Sequence, residues 1–417
     1  MMLGTSGRGC DVDLSHFVRP EMRRALAAAV LVLAVVVGTT TAASGAERRA
    51  VLGRDWQAPR HLVEVDPLTF RRVGHRRVRL GGFATFLSIS PDRALLLAAG
   101  QEASTPPAVR VIDLHRFRVV RDIELAEDGG IDEVEWLDAR HAAVVVRDAD
   151  ATTVFIVDPR NPESTRALRF RGMDVGYFRR AGDRLVALAA PMRRVGVARL
   201  LVFAPDATVK VSVLDRIAKG SRLRSGRLRH SAQPGLAVDG AGTRAFVVDA
   251  DDTVAEVQLG SLSVHYHEAR RVSAVQRSSK DDATGWQIQA RVEGRLLVVS
   301  GYRSAKGRQY APHGLRLIDT RSWTTTLVDR LAGPFDVVGD RVLVESGRGV
   351  TAYALDGRPR WRVNEGRLWS GGRSITRPYL YLSRTDETTA VVVLATGRIV
   401  RVLEEKRFQP LRDGDTW

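Results

Sequence analysis

The stretch "GLAVDGAGTRAFVVDADDTVAEVQLGSLSVHYH", Gly235 to His267, contains four short segments rich in valine, alanine and leucine. Polar turns separate the segments near Asp239, Asp249 and Gly260. Apolar residues that alternate with polar ones between such turns are typical of antiparallel strands joined by hairpins. The stretch therefore predicts one sheet of four strands.

The same pattern recurs from about residue 60 to the end of the chain. Seven inner hairpins lie among eight copies of an outer hairpin, which turn near Asp66, Asp113, Asp158, Pro205, Gly260, Asp319, Asp356 and Thr396. From 66 to 396 is 330 residues in seven steps, or about 47 residues per repeat. Four strands in a period of about 40–50 residues are the signature of a propeller blade. We therefore predict an all-β chain that forms a single β-propeller of four-stranded antiparallel blades.

The two ends of the chain are expected to close the ring. The first outer hairpin lacks inner partners, and "RRAVLGR" (48–54) and "KRFQPLR" (406–412) could supply the missing strands. Pairing of N- and C-terminal strands in one blade would remove open sheet edges. The prediction is seven or eight blades, and the hairpin count favours eight.

The repeats resemble those of a known group of proteins. YVTN and WD-repeat-like propellers of secreted bacterial proteins are similar to two parts of this chain. These are "SISPDRALLLAAG" with "VRVIDLHRFRVV", and the stretch from Gly235 to His267. The resemblance covers nearly all of residues 60–405 and rests on turn and strand residues. It implies the fold, and fold does not imply function.

A second resemblance concerns a cofactor. "VTAYALDGRPRWRV", Val350 to Val363, resembles a repeat of the pyrroloquinoline quinone type, in which a tryptophan docks neighbouring blades. "VVVLATGRIVRVL", Val391 to Leu403, is a partial copy without the tryptophan. The expectation is that Trp361 fills the gap between two blades, and no cofactor is predicted.

The first 46 residues predict export. The pair Arg23-Arg24 precedes a 13-residue apolar run, Ala25 to Val37, and a tail of small residues. This order is that of a secretory signal peptide. We predict a mis-called leader over 1–21, a signal peptide over 22–46 and the propeller over 47–417, with a secreted or periplasmic location. An uncleaved N-terminal anchor is the alternative.

Charge and cysteine content restrict the function classes. The net charge is +16, and the only cysteine, Cys10, lies in the leader. The region after residue 46 therefore has no disulfide, thiolate metal site or thiol nucleophile. An excess of positive charge attracts anionic polymers such as those of a cell wall.

Five residues are predicted to bind a ligand where the channel opens. Propeller ligands usually sit at the channel mouth, and the loops that lead into the inner strands line it. Alignment of "GIDEV", "GMDVG" and "PFDVV" places Asp132, Asp174 and Asp336 at equivalent positions, and Trp286 and Trp369 precede two other inner strands. The carboxylates could hold Ca²⁺ or a cationic ligand. The favoured alternative is that each aspartate caps its own loop.

The most basic segment is "DRIAKGSRLRSGRLRH", 215–230. It is expected to be a solvated insertion, and its arginines are the predicted polyanion contacts: Arg222, Arg224, Arg227 and Arg229. It has no interleaved aromatic residues that would stack on bases, so no specific nucleic acid is expected.

The function predicted from the sequence is a monomeric binding scaffold for a protein, small molecule or glycan. The first alternative is an enzyme, either a lactonase-like hydrolase or a degenerate quinoprotein; the second is a polyanion-binding protein. The sequence contains no hydrolase elbow, zinc framework or phosphate loop, and no catalytic residue or metal ligand is assigned. An enzyme would need convergent acids or bases with perturbed pKa values at the channel mouth.

Overall fold

The structure is a computed structural model, and it describes residues 50–410 with internal gaps. The gaps are 56–59, 101–105, 127, 225–226, 269, 272–282, 306–307, 348, 369–374 and 405–407. The predicted leader and signal peptide lie outside the described residues. In the described part of the chain, no helix is long and apolar enough to cross a membrane.

The described residues form 36 strands and two short 3₁₀ helices, Gly81–Ala84 and Pro162–Ser164. The strands are β1 (Val51–Asp55), β2 (His61–Val65), β3 (Arg72–Arg79), β4 (Phe86–Ile89), β5 (Leu95–Ala99), β6 (Ala108–Asp113), β7 (Arg118–Glu124), β8 (Gly130–Trp136), β9 (Ala142–Arg147), β10 (Ala151–Val157), β11 (Arg166–Arg171), β12 (Met173–Ala181), β13 (Arg184–Pro191), β14 (Val195–Phe203), β15 (Val209–Arg224), β16 (Arg227–Gln233), β17 (Gly235–Val238), β18 (Arg244–Val248), β19 (Thr253–Gln258), β20 (Val264–Glu268), β21 (Arg270–Arg271), β22 (Ala283–Glu293), β23 (Leu296–Ala305), β24 (Arg308–Pro312), β25 (Leu315–Asp319), β26 (Thr324–Asp329), β27 (Ala332–Val338), β28 (Arg341–Ser346), β29 (Gly349–Ala354), β30 (Pro359–Val363), β31 (Arg367–Leu368), β32 (Ile375–Thr376), β33 (Tyr379–Ser383), β34 (Thr389–Val393), β35 (Ile399–Leu403) and β36 (Phe408–Pro410).

These strands form a single β-propeller of antiparallel blades, as predicted. Six separate sheets of four or five strands are blades: β3-β2-β1-β36, β4–β7, β8–β11, β17–β20, β27–β30 and β31–β35. The second and third strands of a blade are almost wholly buried, as in β9 and β10. The fourth strand is mostly exposed, as in β7. Near-continuous apolar runs therefore mark the middle of each blade, and alternating polar runs mark its outer edge.

The predicted number of blades, seven or eight, was wrong, because the described residues form six separate blades. The remaining strands make one eleven-stranded sheet. It contains the runs β12-β13-β14-β15 and β22-β23-β25-β26, which the sequence pattern counts as two further repeats. The long strand β15 turns back into β16, and β16 pairs in parallel with β22 at Ser231↔Gly285. This pairing fuses the two runs into one sheet, and no sequence period reveals it.

Both ends of the described chain meet in one blade. β36 pairs with β1 through Gly53↔Pro410 and Asp55↔Phe408, and β1 pairs with β2. The expected closure by N- and C-terminal strands is confirmed. A second tie crosses the same junction, because the buried Tyr381 hydroxyl donates a 3.0 Å hydrogen bond to the carbonyl of Pro67.

The core lies between blades as well as within them. One apolar cluster joins Leu97 and Val111 of one blade to Val144 and Phe155 of the next. Trp361 of β30 donates an indole hydrogen bond of 3.1 Å to the carbonyl of Leu394 in the following blade. Trp361 therefore docks two blades, as the sequence suggested.

Candidate functional site

Two neighbouring inner strands, β8 and β12, each carry a β-bulge, near the start of β8 and in the middle of β12. In β8 the register shifts between Ile131 and Glu133, which leaves Asp132 as the extra residue. In β12 the register shifts between Gly176 and Arg179. Bulges redirect side chains and are over-represented beside functional sites. The bulge in β12 contains Tyr177 and Phe178, whereas Asp174 lies in the regularly paired part of that strand, and β8 and β12 are in contact.

Arg147, the last residue of β9, joins the two bulged strands. Its Nη1 lies 2.7 Å from Asp132 Oδ2, and its Nη2 lies 2.7 Å from Asp174 Oδ1. The three side chains are partly exposed: 36% of Arg147, 34% of Asp132 and 26% of Asp174. Opposite charges this close attract each other, and the partly buried setting strengthens the attraction relative to that in bulk water. The structure thus brings two of the predicted aspartates together on one guanidinium.

The second oxygen of Asp174 holds a buried lysine. Lys219 Nζ lies 3.3 Å from Asp174 Oδ2, and the Lys219 side chain is 1% exposed. Burial lowers the pKa of Lys219, while the charge of Asp174 acts in the opposite direction. The expectation of a solvated insertion over 215–230 was wrong at Lys219. The pairing of β15 with β14 continues to Val195↔Gly220 and carries this lysine into the interior.

Tyr177 covers the lysine from the bulge of β12. The Lys219 Nζ lies 5.6 Å from the centre of the Tyr177 ring, within the range of a cation–π contact. Tyr177 has a φ of 62°, a left-handed conformation that is uncommon for a residue with a side chain. Burial, and then the charge of Asp174, raise the pKa of Tyr177 to about 12. The phenol therefore stays protonated at neutral pH. We refer to Asp132, Arg147, Asp174, Tyr177 and Lys219 as the mouth cluster.

Two glutamates of β8 continue the polar surface away from the mouth cluster. Glu133 and Glu135 alternate along the strand with Val134 and Trp136, which are buried in the apolar core. The backbone N–H of Phe178 in β12 donates a 3.3 Å hydrogen bond to Glu133 Oε1. Burial raises the pKa of both glutamates to about 7. Each is thus poised to gain or lose a proton near neutral pH.

Gly176 leaves the space between the mouth cluster and Glu133. A Cβ atom at this position would lie 3.8 Å from Arg147 Nη2 and 4.0 Å from Glu133 Oε2. The arginine and the glutamate therefore both approach the backbone of β12 at Gly176. Arg147 Nη2 also donates a 3.5 Å hydrogen bond to the carbonyl of Val175 in that strand.

Trp286 lies beside the same part of the ring, next to a buried carboxylate. Asp249 accepts hydrogen bonds from the backbone N–H of Ala250 at 2.7 Å and from that of Ala218 at 3.3 Å. Burial raises the pKa of Asp249, and hydrogen bonds from these amides and from Trp286 oppose the rise. Ala218 precedes Lys219, so Asp249 holds the backbone from which the buried lysine projects. The predicted residue Trp286 thus contributes to supporting the mouth cluster.

Asp336 occupies a different depth from the other two aspartates. It pairs with Leu343, three residues before the end of β28, whereas Asp174 pairs with Ala190, one residue before the end of β13. Asp336 is also 7% exposed. Because of a register shift between Ala332 and Phe335, the sequence alignment of the three aspartates does not correspond to equal positions in the blades.

Other predicted contacts fall on residues that are not described in full. Trp369 lies outside the described residues. Arg222, Arg224, Arg227 and Arg229 lie on the hairpin of β15 and β16, and their side chains are outside the described part. Their contact with a polyanion stays a prediction.

Within the described ranges, no three histidine, cysteine, aspartate or glutamate side chains come together in a way that could hold a metal ion. Asp132 and Asp174 instead share a guanidinium. The hypothesis that these aspartates bind Ca²⁺ stays a prediction.

Comparison with known proteins defines the class of this protein by its fold. No family model and no curated protein sequence matches the chain. Among solved structures, the chain is similar to dihydro-heme d1 dehydrogenase NirN in complex with DHE, with a TM-score of 0.55 and 11% identity over 88% of this chain and 74% of that one. It is also similar to BamB from Moraxella catarrhalis, with a TM-score of 0.49 and 14% identity over 77% of this chain and 87% of that one. At these identities the likeness to NirN shows the β-propeller fold alone.

Proposed function

We propose that this propeller is a binding scaffold that acts at or outside the cell envelope, and that its ligand binds at the mouth cluster. One observation carries the proposal: a row of alternating charges, Asp132, Arg147, Asp174 and Lys219, is assembled from four different strands, β8, β9, β12 and β15. The exported location is supported by the signal-like order of the first 46 residues.

The alternation of charges favours a particular kind of ligand. Two cations and two carboxylates balance each other, so the cluster exerts little net attraction on a simple ion. It offers acceptors at Asp132 and donors at Arg147 on its exposed side, where each side chain is about a third accessible. A ligand with both donors and acceptors, such as a sugar or a zwitterion, would meet partners for each. Lys219, shielded beneath Tyr177, would hold Asp174 in place and keep Arg147 oriented.

Binding at this site is tested by thermal shift on the full chain with sugars, amino acids, dicarboxylates and polyamines as probes. A ligand at a hundred times its Kd stabilises the folded state by about 2.7 kcal/mol. We expect a sugar or an amino acid to raise the melting temperature, and the Arg147→Met variant to lose that increase.

A matched control exists on the rim of another blade. Arg244 also contacts two carboxylates, Asp239 and Glu256, each at 3.2 Å. The Arg244→Met variant should keep the ligand-dependent increase even if its own stability falls. An increase that survives in Arg147→Met, or disappears equally in both variants, would refute binding at the mouth cluster.

A second candidate function, hydrolysis, is favoured by the acid–base properties of the neighbouring residues. General acid–base catalysis works best when the pKa of the catalytic group lies near the working pH. Glu133 has a pKa of about 7, and it lies close to Arg147 across Gly176. In this case Glu133 would activate water, and Arg147 would stabilise the oxyanion that forms on an ester or lactone.

Hydrolysis is tested with chromogenic esters and lactones over pH 5–9. We expect a rate that rises as Glu133 loses its proton and that vanishes in Glu133→Gln. A rate that persists in this variant with an unchanged pH profile would remove Glu133 from the mechanism, and no turnover of any lactone or ester would leave binding as the function.

A further inference from the structure

The outer strands of three consecutive blades are rich in exposed arginine. β3 has four arginines, β7 has two and β11 has three, and all nine of these residues are exposed. By contrast, the outer strands β20 and β26 contain no arginine. Among the other outer strands, β30 has two exposed arginines, and β15 and β35 have one each with a described side chain, so most of the exposed arginines of the outer strands lie on these three consecutive blades. We refer to the nine residues as the basic arc.

Few carboxylates neutralise the basic arc. The three strands contain two acidic residues, and one of them, Asp122, forms a bidentate pair of 2.7 and 2.8 Å with Arg110 of the adjacent strand. Arg76 contacts Glu64 at 3.2 Å, and Arg169 contacts Asp148 at 2.7 Å. Arg77 lies opposite Val63 and Arg121 lies opposite Val111, whereas Arg118 lies opposite Asp113.

The arginines of the basic arc affect the pKa of a neighbouring histidine. Burial, and then the charge of Arg77, lower the pKa of His61 on the adjacent strand. Arg79 and Arg72 act in the same direction, and Asp55 opposes them. The arginines of β3 therefore already disfavour one further positive charge beside them, which an anion would relieve.

The surface between the arginines fits some polyanions better than others. The exposed large apolar residues of the arc are valines, Val73, Val119 and Val120, and no aromatic residue is among the exposed large apolar residues of the described chain. Single-stranded nucleic acid needs aromatic faces on which its bases stack. Double-stranded DNA is stiff over about 50 nm, so it does not follow a convex rim at low cost. A flexible polymer that carries carboxylate or sulfate groups needs no aromatic faces and can follow the rim. Guanidinium side chains bind carboxylate and sulfate bidentately.

We infer that the basic arc binds an anionic polysaccharide along the outer strands β3, β7 and β11, independently of the mouth cluster. The polymer contacts successive blades through guanidinium groups, and affinity depends on the number of contacts. The site uses no residue of the mouth cluster, so the binding of a small ligand there can fail or succeed separately.

The inference is tested by measuring affinity for heparin, as an anionic polysaccharide, against salt concentration. The variant Arg77→Gln/Arg118→Gln/Arg121→Gln removes three charges from the basic arc. The control Arg321→Gln/Arg330→Gln/Arg358→Gln removes three exposed charges that lie outside the blades of the basic arc. Uncharged dextran and single- and double-stranded oligonucleotides serve as further probes.

We expect the slope of log affinity against log salt to fall by about 2–3 in the arc variant, as for the loss of three contacts with a polyanion. The control variant should change the slope by less than half as much, and dextran should not bind. An equal change in both variants would overturn the inference, because net charge alone would then explain binding. Tighter binding of either oligonucleotide than of heparin would also overturn it, since the partner would then be a nucleic acid.

Discussion

Replacing Glu133 with glutamine should make the protein more stable at alkaline pH and leave it nearly unchanged at acidic pH. The wild-type carboxyl group has a pKa of 4.5 when exposed and about 7 in the folded protein, chiefly because of burial. The folded state therefore holds its proton more tightly than the unfolded state does. Stability falls as pH rises from about 4.5 to 7, where the unfolded chain ionises first, and then stays low.

The expected gain in the free energy of unfolding follows from the rise in the pKa of Glu133 on folding. One pKa unit corresponds to about 1.4 kcal/mol, so the penalty at pH 8 is about 3 kcal/mol. Glutamine avoids this penalty and can still accept the hydrogen bond from the backbone N–H of Phe178. The pKa of Glu135 is also raised to about 7, by burial and then by the charge of Glu133. Because this repulsion is removed by either substitution, the double variant should gain less than the sum of the two single variants.

Urea unfolding gives the difference in free energy of unfolding between the variant and wild type, and this difference is compared between pH 5 and pH 8. We expect the free energy of unfolding of Glu133→Gln to exceed that of wild type by about 3 kcal/mol at pH 8 and by less than 1 kcal/mol at pH 5. Glu124→Gln, on the exposed outer strand β7, removes a carboxylate that is not buried and serves as the control. A Glu133→Gln variant that gains nothing at pH 8, or gains equally at both pH values, would refute the reasoning.

Three further substitutions test other contacts. Asp174→Asn leaves the buried ammonium of Lys219 without its anion, so it should lower the free energy of unfolding in urea by about 3–5 kcal/mol at pH 6 and by less at pH 9. The double variant Asp174→Asn/Lys219→Met should recover most of the loss. Full stability of the single variant would contradict this. Gly397→Ala should lower the free energy of unfolding by about 1–3 kcal/mol. The φ of Gly397 is 71°, and the new Cβ would lie 2.6 Å from the ring of Trp361. Gly357 also has a positive φ, but its new Cβ would have its nearest contact at 3.2 Å, so Gly357→Ala separates the effect of backbone strain from that of the clash. Tyr381→Phe should cost about 1–2 kcal/mol, because it leaves a buried carbonyl at the ring junction without its donor, and a change within 0.5 kcal/mol in thermal or urea unfolding would contradict the proposed tie.

The architecture was largely predictable because period-two alternation and turn residues are local signals. They identified the hairpins, the buried middle strands and the strands that close the ring. The number of blades could not be predicted, since the fusion at Ser231↔Gly285 joins strands that are far apart in the sequence and leaves no periodic trace.

The candidate site was only partly predictable. Asp132 and Asp174 stood out because they occur in similar phrases at the start of inner strands. Arg147 could have been found as the charged end of the apolar run "AAVVVR", at the same end of the blade as Asp132. Lys219 could not, because it lies in a basic segment whose composition is typical of a solvated surface. Its burial depends on the length of β15 and on a carboxylate from another strand.

The parallel pairing of β16 with β22 has a consequence for how the ring opens. It spans the blade β17–β20, which lies between the two fused runs in the sequence. In a simple repeat protein each unit contacts only its neighbours, so units can come apart one at a time. Here the pairing of β16 with β22 joins the two runs that flank the blade β17–β20 in the sequence, so these runs are bonded to each other directly. Amide hydrogens from β12 to β26 should therefore exchange as one cooperative unit, with a higher opening free energy than those of the separate blades.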